Sequence, residues 1–344
     1  MGSATGIKNQ KFLLKSRPQG RVRRSDFEMV EESLAELKEG EILVRNIYLS
    51  VDPTNRIWMS DIEQYMPPVS IGEVMRCLGI GRVEESKNPR FPEGSLVSGL
   101  IGWQRYVITT GEGQFPLSIV PPVKTAPLTA LVGVLGMTGM TAYFGLLEVG
   151  KPEPGETLVV SAAAGAVGSV VGQIGKLKGL NVVGIAGGEK KCGWLKNEVG
   201  FDHAIDYKDS GFLKNLEKAT PNGVDINFEN VGGEIMEAVY SRMNLRSRFV
   251  LCGMISGYNS SDDSRTRISL TRTLMKRITI QGFIISDFAS SFQKAANELA
   301  SWLDTGKIKH RETIVDGLDN APEALNMLFD GNKEGKLLIK VSDE

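Results

Sequence analysis

The sequence predicts an α/β protein of two domains, one mostly β and one built on a doubly wound parallel sheet. Three observations point there. The chain has 344 residues, more than one hydrophobic core usually organises, so roughly two domains of about 150 residues are expected. Its first third holds short β-branched or aromatic runs separated by Pro and Gly clusters. From Thr157 onward, apolar strand-like runs alternate with helical patterns, as successive βαβ units require.

In chain order, Glu41 to Ile47, Ser95 to Ile101 and Arg105 to Thr109 read as strands. The texture changes near Pro127, where a helical pattern runs through Leu135 and a second spans Gly139 to Leu147, ahead of the Lys151-Pro152-Glu153-Pro154-Gly155 turn. Thr157 to Ser161 then reads as strand, Gly165 to Lys178 as helix, Asn181 to Ala186 as strand and Glu189 to Val199 as helix. Buried-looking runs at Asp225 to Glu229, Phe249 to Cys252 and Ile278 to Ile285 continue the sheet. A helix from Phe288 to Thr305 puts Phe292, Ala295, Ala296, Leu299 and Leu303 on one face, with Gly306 at its C-terminal cap. The tail supplies strand-like Ile314-Val315, a helix around Pro322 to Phe329 and a strand from Lys336 to Val341. It is too short for a third domain and is expected to rejoin the first. Domains over 1–130, completed by 306–344, and over 131–305 follow.

Composition narrows the function. The net charge is −1, so nothing holds the chain to a phosphate backbone, and the short Arg21, Arg23, Arg24 run reads as solvated surface. No stretch reaches the ~20 apolar residues of a membrane span. Cys77, Cys192 and Cys252 are odd in number and far apart, which fits a reducing, cytoplasmic setting. No signal-peptide pattern opens the chain; Gly2 lacks the Ser or Thr at position 6 that myristoylation needs, and Asn259-Ser260-Ser261 has no meaning as a glycosylation triplet without secretion. A catalytic metal needs three convergent ligands, and His203 and His310 are the only histidines, neither with a neighbouring ligand. No metal is expected.

After the strand ending at Ser161 comes Ala162-Ala163-Ala164-Gly165-Ala166-Val167-Gly168, a G-x-G-x-x-G pattern with Ala163 in the first glycine position. Gly165 would let the backbone approach a pyrophosphate, Gly168 would let the helix pack on the strand, and the helix amides of Ala166 and Val167 add positive potential. At the end of the second strand, where an NAD enzyme carries an acid, stand Gly187-Gly188, then Glu189, Lys190 and Lys191. Lysines in a first helical turn oppose the macrodipole and call for an anion. A ribose 2′-phosphate is such an anion, so NADP is read over NAD, with Lys191 as the first choice of clamp. The third strand ends Phe228-Glu229-Asn230-Val231-Gly232-Gly233 and the fourth Cys252-Gly253-Met254-Ile255-Ser256-Gly257-Tyr258-Asn259. Ligands gather outside such carboxyl ends. Cys252 reads as a small buried residue, without an acid–base partner.

These residues resemble the zinc-independent medium-chain dehydrogenase/reductases, specifically the prostaglandin reductase and curcumin reductase family of NADPH-dependent alkenal/one reductases. The likeness is carried by Tyr48-Leu49-Ser50-Val51-Asp52-Pro53, Leu135-Gly136-Met137, Thr141 to Leu147, Ala162 to Gly168, Glu229 to Gly233, Cys252 to Asn259 and Gly335-Lys336. Tyr65, Pro67-Pro68, Ile71-Gly72 and Gly282-Phe283-Ile284-Ile285 bring the bacterial curcumin reductases nearer than the mammalian enzymes. The resemblance implies a GroES-like catalytic domain made from both chain ends, an inserted Rossmann domain, a cytoplasmic homodimer and an active site between the domains. It implies that Gly165, Ala166, Val167, Gly168, Lys191, Tyr207, Asn230, Cys252, Gly253, Met254, Ile255, Ser256, Gly257, Tyr258, Phe283, Ile284 and Ile285 line NADPH; the family places Asn where Lys333 stands, and Lys333, or its neighbour Asn332 after a small shift, is the expected further contact. Thr54-Asn55-Arg56 stands where the family writes Tyr-Met-Arg, and Met140 replaces a smaller residue; both bear on the substrate side.

The implied reaction adds the hydride of NADPH to the β-carbon of an enone or enal, leaving an enolate that needs a hydrogen-bond donor. Tyr258 is the expected donor and Tyr65 the second candidate. Two other functions share these residues: an NADPH:quinone reductase, and a cofactor-bound scaffold without chemistry.

Overall fold

The computed structural model describes residues 6–113, 115–120, 126–260 and 266–344. Gly2 and Ser261, weighed above as parts of modification motifs, lie outside them. Two compact units result, one from Met1–Val132, Glu312–Lys333 and Leu337–Glu344, the other from Gly133–Arg311 and Glu334–Lys336.

The first unit is mostly β. Its seven-stranded sheet runs Glu312–Asp316, Lys336–Lys340, Ile42–Val51, Leu78–Ser86, Leu96–Leu100 and Ser118–Ile119, with Tyr106–Thr109 also pairing on Ile42–Val51. The C-terminal strand lies antiparallel to Ile42–Val51, with Leu337 opposite Val51 and Lys340 opposite Tyr48. Bulges between Leu43 and Val44 and between Asn46 and Tyr48 bend the central strand. It therefore feeds three cores, Val44, Leu49 and Val51 on one, Ile47 and Tyr48 on a second and Leu43 on a third. A separate hairpin pairs Lys8–Leu14 with Phe27–Ser33.

The second unit is the doubly wound sheet. Taken in chain order, its strands are Thr157–Val160, Asn181–Ala186, His203–Asp206, Val224–Glu229, Met243–Leu251 and Thr279–Gly282. They lie in the order third, second, first, fourth, fifth, sixth, and every pairing is parallel. Parallel strands need crossovers, and helices Ala166–Leu177 and Glu189–Trp194 supply the first two. Ala166–Leu177 buries Val170, Val171 and Ile174. Its buried Gln173 donates to the Lys309 carbonyl (2.8 Å) and accepts from the Lys309 amide (2.7 Å), tying the segment after helix Phe292–Asp304 to this helix.

Several expected elements are corrected. Pro127 to Leu135 is not a helix: a single 3-10 turn spans Leu128–Leu131, and the α-helix is Met137–Phe144, continued as one wide turn to Gly150. Gly133 and Gly136 lie in the break, where glycine's backbone entropy works against a continuous helix. His203–Asp206 is an additional edge strand, so the runs called third and fourth are the fourth and fifth. The last strand stops at Gly282, and Phe283 to Ile285 leave it for a 3-10 segment ending at Ser291, ahead of helix Phe292–Asp304.

Candidate active site

The strand order reverses between Thr157–Val160 and Val224–Glu229. A doubly wound sheet opens its ligand crevice at the carboxyl ends of the strands flanking such a reversal. Here the chain leaves Ser161, turns through Ala162 to Gly165 and enters helix Ala166–Leu177. Ala162, not the residue in the first glycine position, takes the left-handed backbone (φ 48°), at a cost of about 1–2 kcal/mol for a residue with a Cβ. Ala163 is buried and its amide donates to Ile185. A Cβ on Gly168 would lie 2.6 Å from the Ala162 carbonyl oxygen, so only glycine lets the helix start this close to the turn. Gly165 caps the helix and, having no side chain, makes no side-chain cap bond. The first amides of a helix have no partner within it and aim out of its end, as an anion requires.

Glu229 organises the opposite wall. Its buried carboxylate accepts from Ser161 Oγ (2.8 Å), Asn227 Nδ2 (3.0 Å) and the amides of Val231 (2.7 Å) and Gly232 (2.9 Å). Its carbonyl accepts from Cys252 and Gly253. Asn230 donates its side-chain amide to the Ser161 carbonyl (2.7 Å). Ile255 and Ser256 donate back to Asn230 and Val231, so Asn230–Gly233 and Cys252–Tyr258 form one laced pair of loops. Sequence reading took Glu229 only as part of a motif; the signal was an acid at the carboxyl end of a strand, directly before Asn230-Val231-Gly232-Gly233.

Tyr258 closes the second loop. Its phenol oxygen accepts from the Met254 amide (3.0 Å). The Cys252 thiol is pushed up to about 12, first by burial and then by the nearby Glu229 carboxylate. It stays a neutral thiol at physiological pH. Phe283 stands edge-on to Phe228, and Ile284 opens the following 3-10 segment.

A second cluster forms where Asn181–Ala186 and His203–Asp206 end. Asp206 accepts from the amides of Gly188 and Lys208, both at 2.9 Å, which joins the two strand ends. A Cβ on Gly187 would sit 2.9 Å from the Tyr207 ring. Burial is the main cause holding the Lys191 ammonium below the usual lysine range; Lys208 adds repulsion, and Glu334 pulls the other way. The expectation that the paired lysines await a ligand anion is corrected for Lys190. Its ammonium is ion-paired with Glu334 (2.6 Å), which Arg311 also holds (3.0 Å). Arg311 in turn lies over the Trp194 ring. Glu334 arrives because Gly335 reaches the glycine loop, donating its amide to Ala164.

Two predicted site residues belong to the first unit. Tyr65 accepts from Trp58 Nε1 (3.1 Å) and shares a hydrogen bond with Thr54 Oγ1 (2.6 Å), and burial raises its phenol. Lys333 ends the Glu312–Lys333 segment. Met140 is buried in helix Met137–Phe144 of the second unit. Among the described residues, no group of three or more His, Cys, Asp and Glu side chains could hold a metal ion, and no helix is long and apolar enough to cross a membrane.

A mostly β unit together with a six-stranded sheet in this order is the architecture of a medium-chain dehydrogenase/reductase, an oxidoreductase class. Comparison with known proteins narrows it. A family model described as the N-terminal domain of oxidoreductase matches residues 10–117, and one described as zinc-binding dehydrogenase matches residues 166–301. The chain is 42% identical over 342 residues to the NADPH-dependent curcumin reductase of Escherichia coli strain K12, covering 98% of each. It is 40% identical over 331 residues to prostaglandin reductase 1 of Bos taurus, covering 96% of this chain and 98% of that one. CurA of Vibrio vulnificus, solved in complex with NADPH, superposes with a TM-score of 0.92 at 42% identity, over 97% of this chain and 100% of its own. The chain belongs to the curcumin reductase and prostaglandin reductase family of medium-chain dehydrogenase/reductases.

Proposed function

We propose that this protein is an NADPH-dependent oxidoreductase that reduces the C=C bond of α,β-unsaturated ketones and aldehydes. Near-complete coverage at 42% identity by a curcumin reductase carries this reading, and the switch-point geometry supports it. The cradle suits a dinucleotide: a helix end without a side-chain cap, a Gly168 that admits no Cβ, and a glycine where an NAD-binding acid would stand. Gly165 to Gly168 would hold the pyrophosphate, Lys191 and Tyr207 the adenosine ribose phosphate, and Asn230, Cys252 to Tyr258 and Phe283 to Ile285 the nicotinamide half, with Lys333 as a further contact. When bound, NADPH supplies a hydride for the electron-poor β-carbon.

The work of the chain is electrostatic. Reducing the conjugated double bond moves negative charge onto the carbonyl oxygen, and Tyr258 donates its phenolic proton into a hydrogen bond there. Its oxygen already accepts from Met254, which fixes the ring and polarises the O–H. Tyr65 is the second donor in this reading. Water or a ribose hydroxyl supplies the α-proton. The reaction needs no zinc, the domains are read as 1–130 with 306–344 and as 131–305, with 306–311 and 334–336 folding with the second unit, and Cys77, Cys192 and Cys252, none in a disulfide among the described residues, suit the reducing cytoplasm.

A panel of enones, enals and quinones, assayed by NADPH oxidation with product analysis and NADH alongside, tests the reading. Saturated ketones and aldehydes should form, with NADPH preferred by at least about tenfold. Exclusive quinone turnover, or indifference to the 2′-phosphate, would overturn it.

The same reading includes a homodimer. Thr279–Gly282 is an edge strand, paired only with Met243–Leu251 among the described residues. Nearby in sequence, Leu270, Leu274 and Met275 are 73%, 67% and 61% exposed. An open edge near apolar surface favours pairing with a second copy. Sedimentation at micromolar concentration should give a dimer, which Ile280→Pro, in the edge strand, should shift towards monomer; a wild-type monomer would end this part.

A further inference from the structure

The cluster at the ends of Asn181–Ala186 and His203–Asp206 holds a lysine that sequence reading passed over. Lys208 follows Tyr207, and Asp206 fixes its amide at 2.9 Å. A Cβ on Gly187 would lie 3.2 Å from Lys208 Cε and 2.9 Å from the Tyr207 ring. The stem of Lys208 and the tyrosine ring thus cross the spot where an NAD-binding acid would project. Three lysines meet here, and they are not equivalent. Lys190 is paired with Glu334 at 2.6 Å, and Arg311 shares that carboxylate. Lys191, from one strand end, and Lys208, from the other, are close enough to repel, which contributes to lowering the Lys191 pKa. Glu334 attracts Lys191 but is also held by Lys190 and Arg311, and two ammonium groups brought together from separate loops favour a multiply charged anion between them.

We infer that Lys208 is a specificity residue for the cofactor, the second ammonium of a two-lysine seat for the adenosine 2′-phosphate, and that Gly187 is small so its stem can reach that seat. This rests on the NADPH reading above. A phosphomonoester dianion matches two ammonium groups, and Asp206 ties together the two loops that carry them by accepting from the backbone amides of Gly188 and Lys208.

The test uses full-length protein with Lys208→Met, which keeps the stem and removes the charge, and with Lys208→Arg and Lys191→Met. Calorimetry with adenosine 2′,5′-bisphosphate against adenosine 5′-monophosphate reads the seat without turnover. Lys208→Met should weaken the bisphosphate about tenfold, flatten its salt dependence and lower the NADPH-to-NADH ratio of kcat/KM by a similar factor. Lys208→Arg should restore most of the loss. Bisphosphate affinity within twofold of wild type in Lys208→Met, alongside a large loss in Lys191→Met, would overturn the Lys208 assignment alone. Wild-type protein that binds the two nucleotides equally would overturn it together with the NADPH reading.

Discussion

Replacing Tyr258 by phenylalanine is expected to lower turnover of an enone by about a hundredfold to a thousandfold, the loss of about 2.7–4 kcal/mol that follows removal of one well-placed oxyanion donor. The ring and its packing stay, but the phenol proton goes. The Met254 amide also loses its acceptor, so cofactor affinity must be measured beside turnover. Calorimetry should show NADPH binding within about threefold of wild type, because the interaction removed forms with the substrate's developing charge. Turnover close to wild type would remove Tyr258 from the chemistry. A large loss of NADPH binding at unchanged saturating turnover would make it a packing residue of the loop.

The second large effect falls on Glu229. Glu229→Ala strands Ser161 Oγ, Asn227 Nδ2 and the Val231 and Gly232 amides. Each stranded buried donor costs about 1–3 kcal/mol. A total of about 4 kcal/mol or more should lower Tm by roughly 8–16 °C. NADPH binding should fall too, since the two loops at the strand reversal lose their shared anchor. Glu229→Gln is expected to recover most of the stability. Its amide oxygen can keep the three bonds now made to Oε1, and Asn227 Oδ1, buried without a partner, can accept from the new amide nitrogen after a flip of the Asn227 carboxamide. Thermal melts of the three proteins decide the matter: an alanine variant melting within two degrees of wild type, or a glutamine variant as damaged as the alanine one, contradicts the hub described for this residue.

Legibility followed the range of the interactions. The Ala162–Gly168 turn was readable because a strand, a small-residue turn and an apolar helix stand next to each other in sequence. Leu78–Ser86 was not. Its glycines resemble a loop, yet Cβ atoms on Gly79 and Gly81 would lie 2.5 and 2.6 Å from the carbonyl oxygens of Tyr48 and Arg45, where the bulged neighbouring strand comes close. His203–Asp206 was missed because it is four residues long and its exposed outer edge gives little apolar pattern.

Residue order alone determined the two-part α/β architecture, the glycine turn between strand and helix, and the missing acid at Gly187. These depend on hydrophobic period and backbone sterics, both local in sequence. Tertiary structure decided which charges face one another. Lys190 meets Glu334 from the far end of the chain, Lys191 meets Lys208 across two strand ends, and Glu229 joins loops that start at Ser161 and Cys252. Pairing between side chains many residues apart depends on strand order and crossover geometry, and no window of the sequence contains both partners.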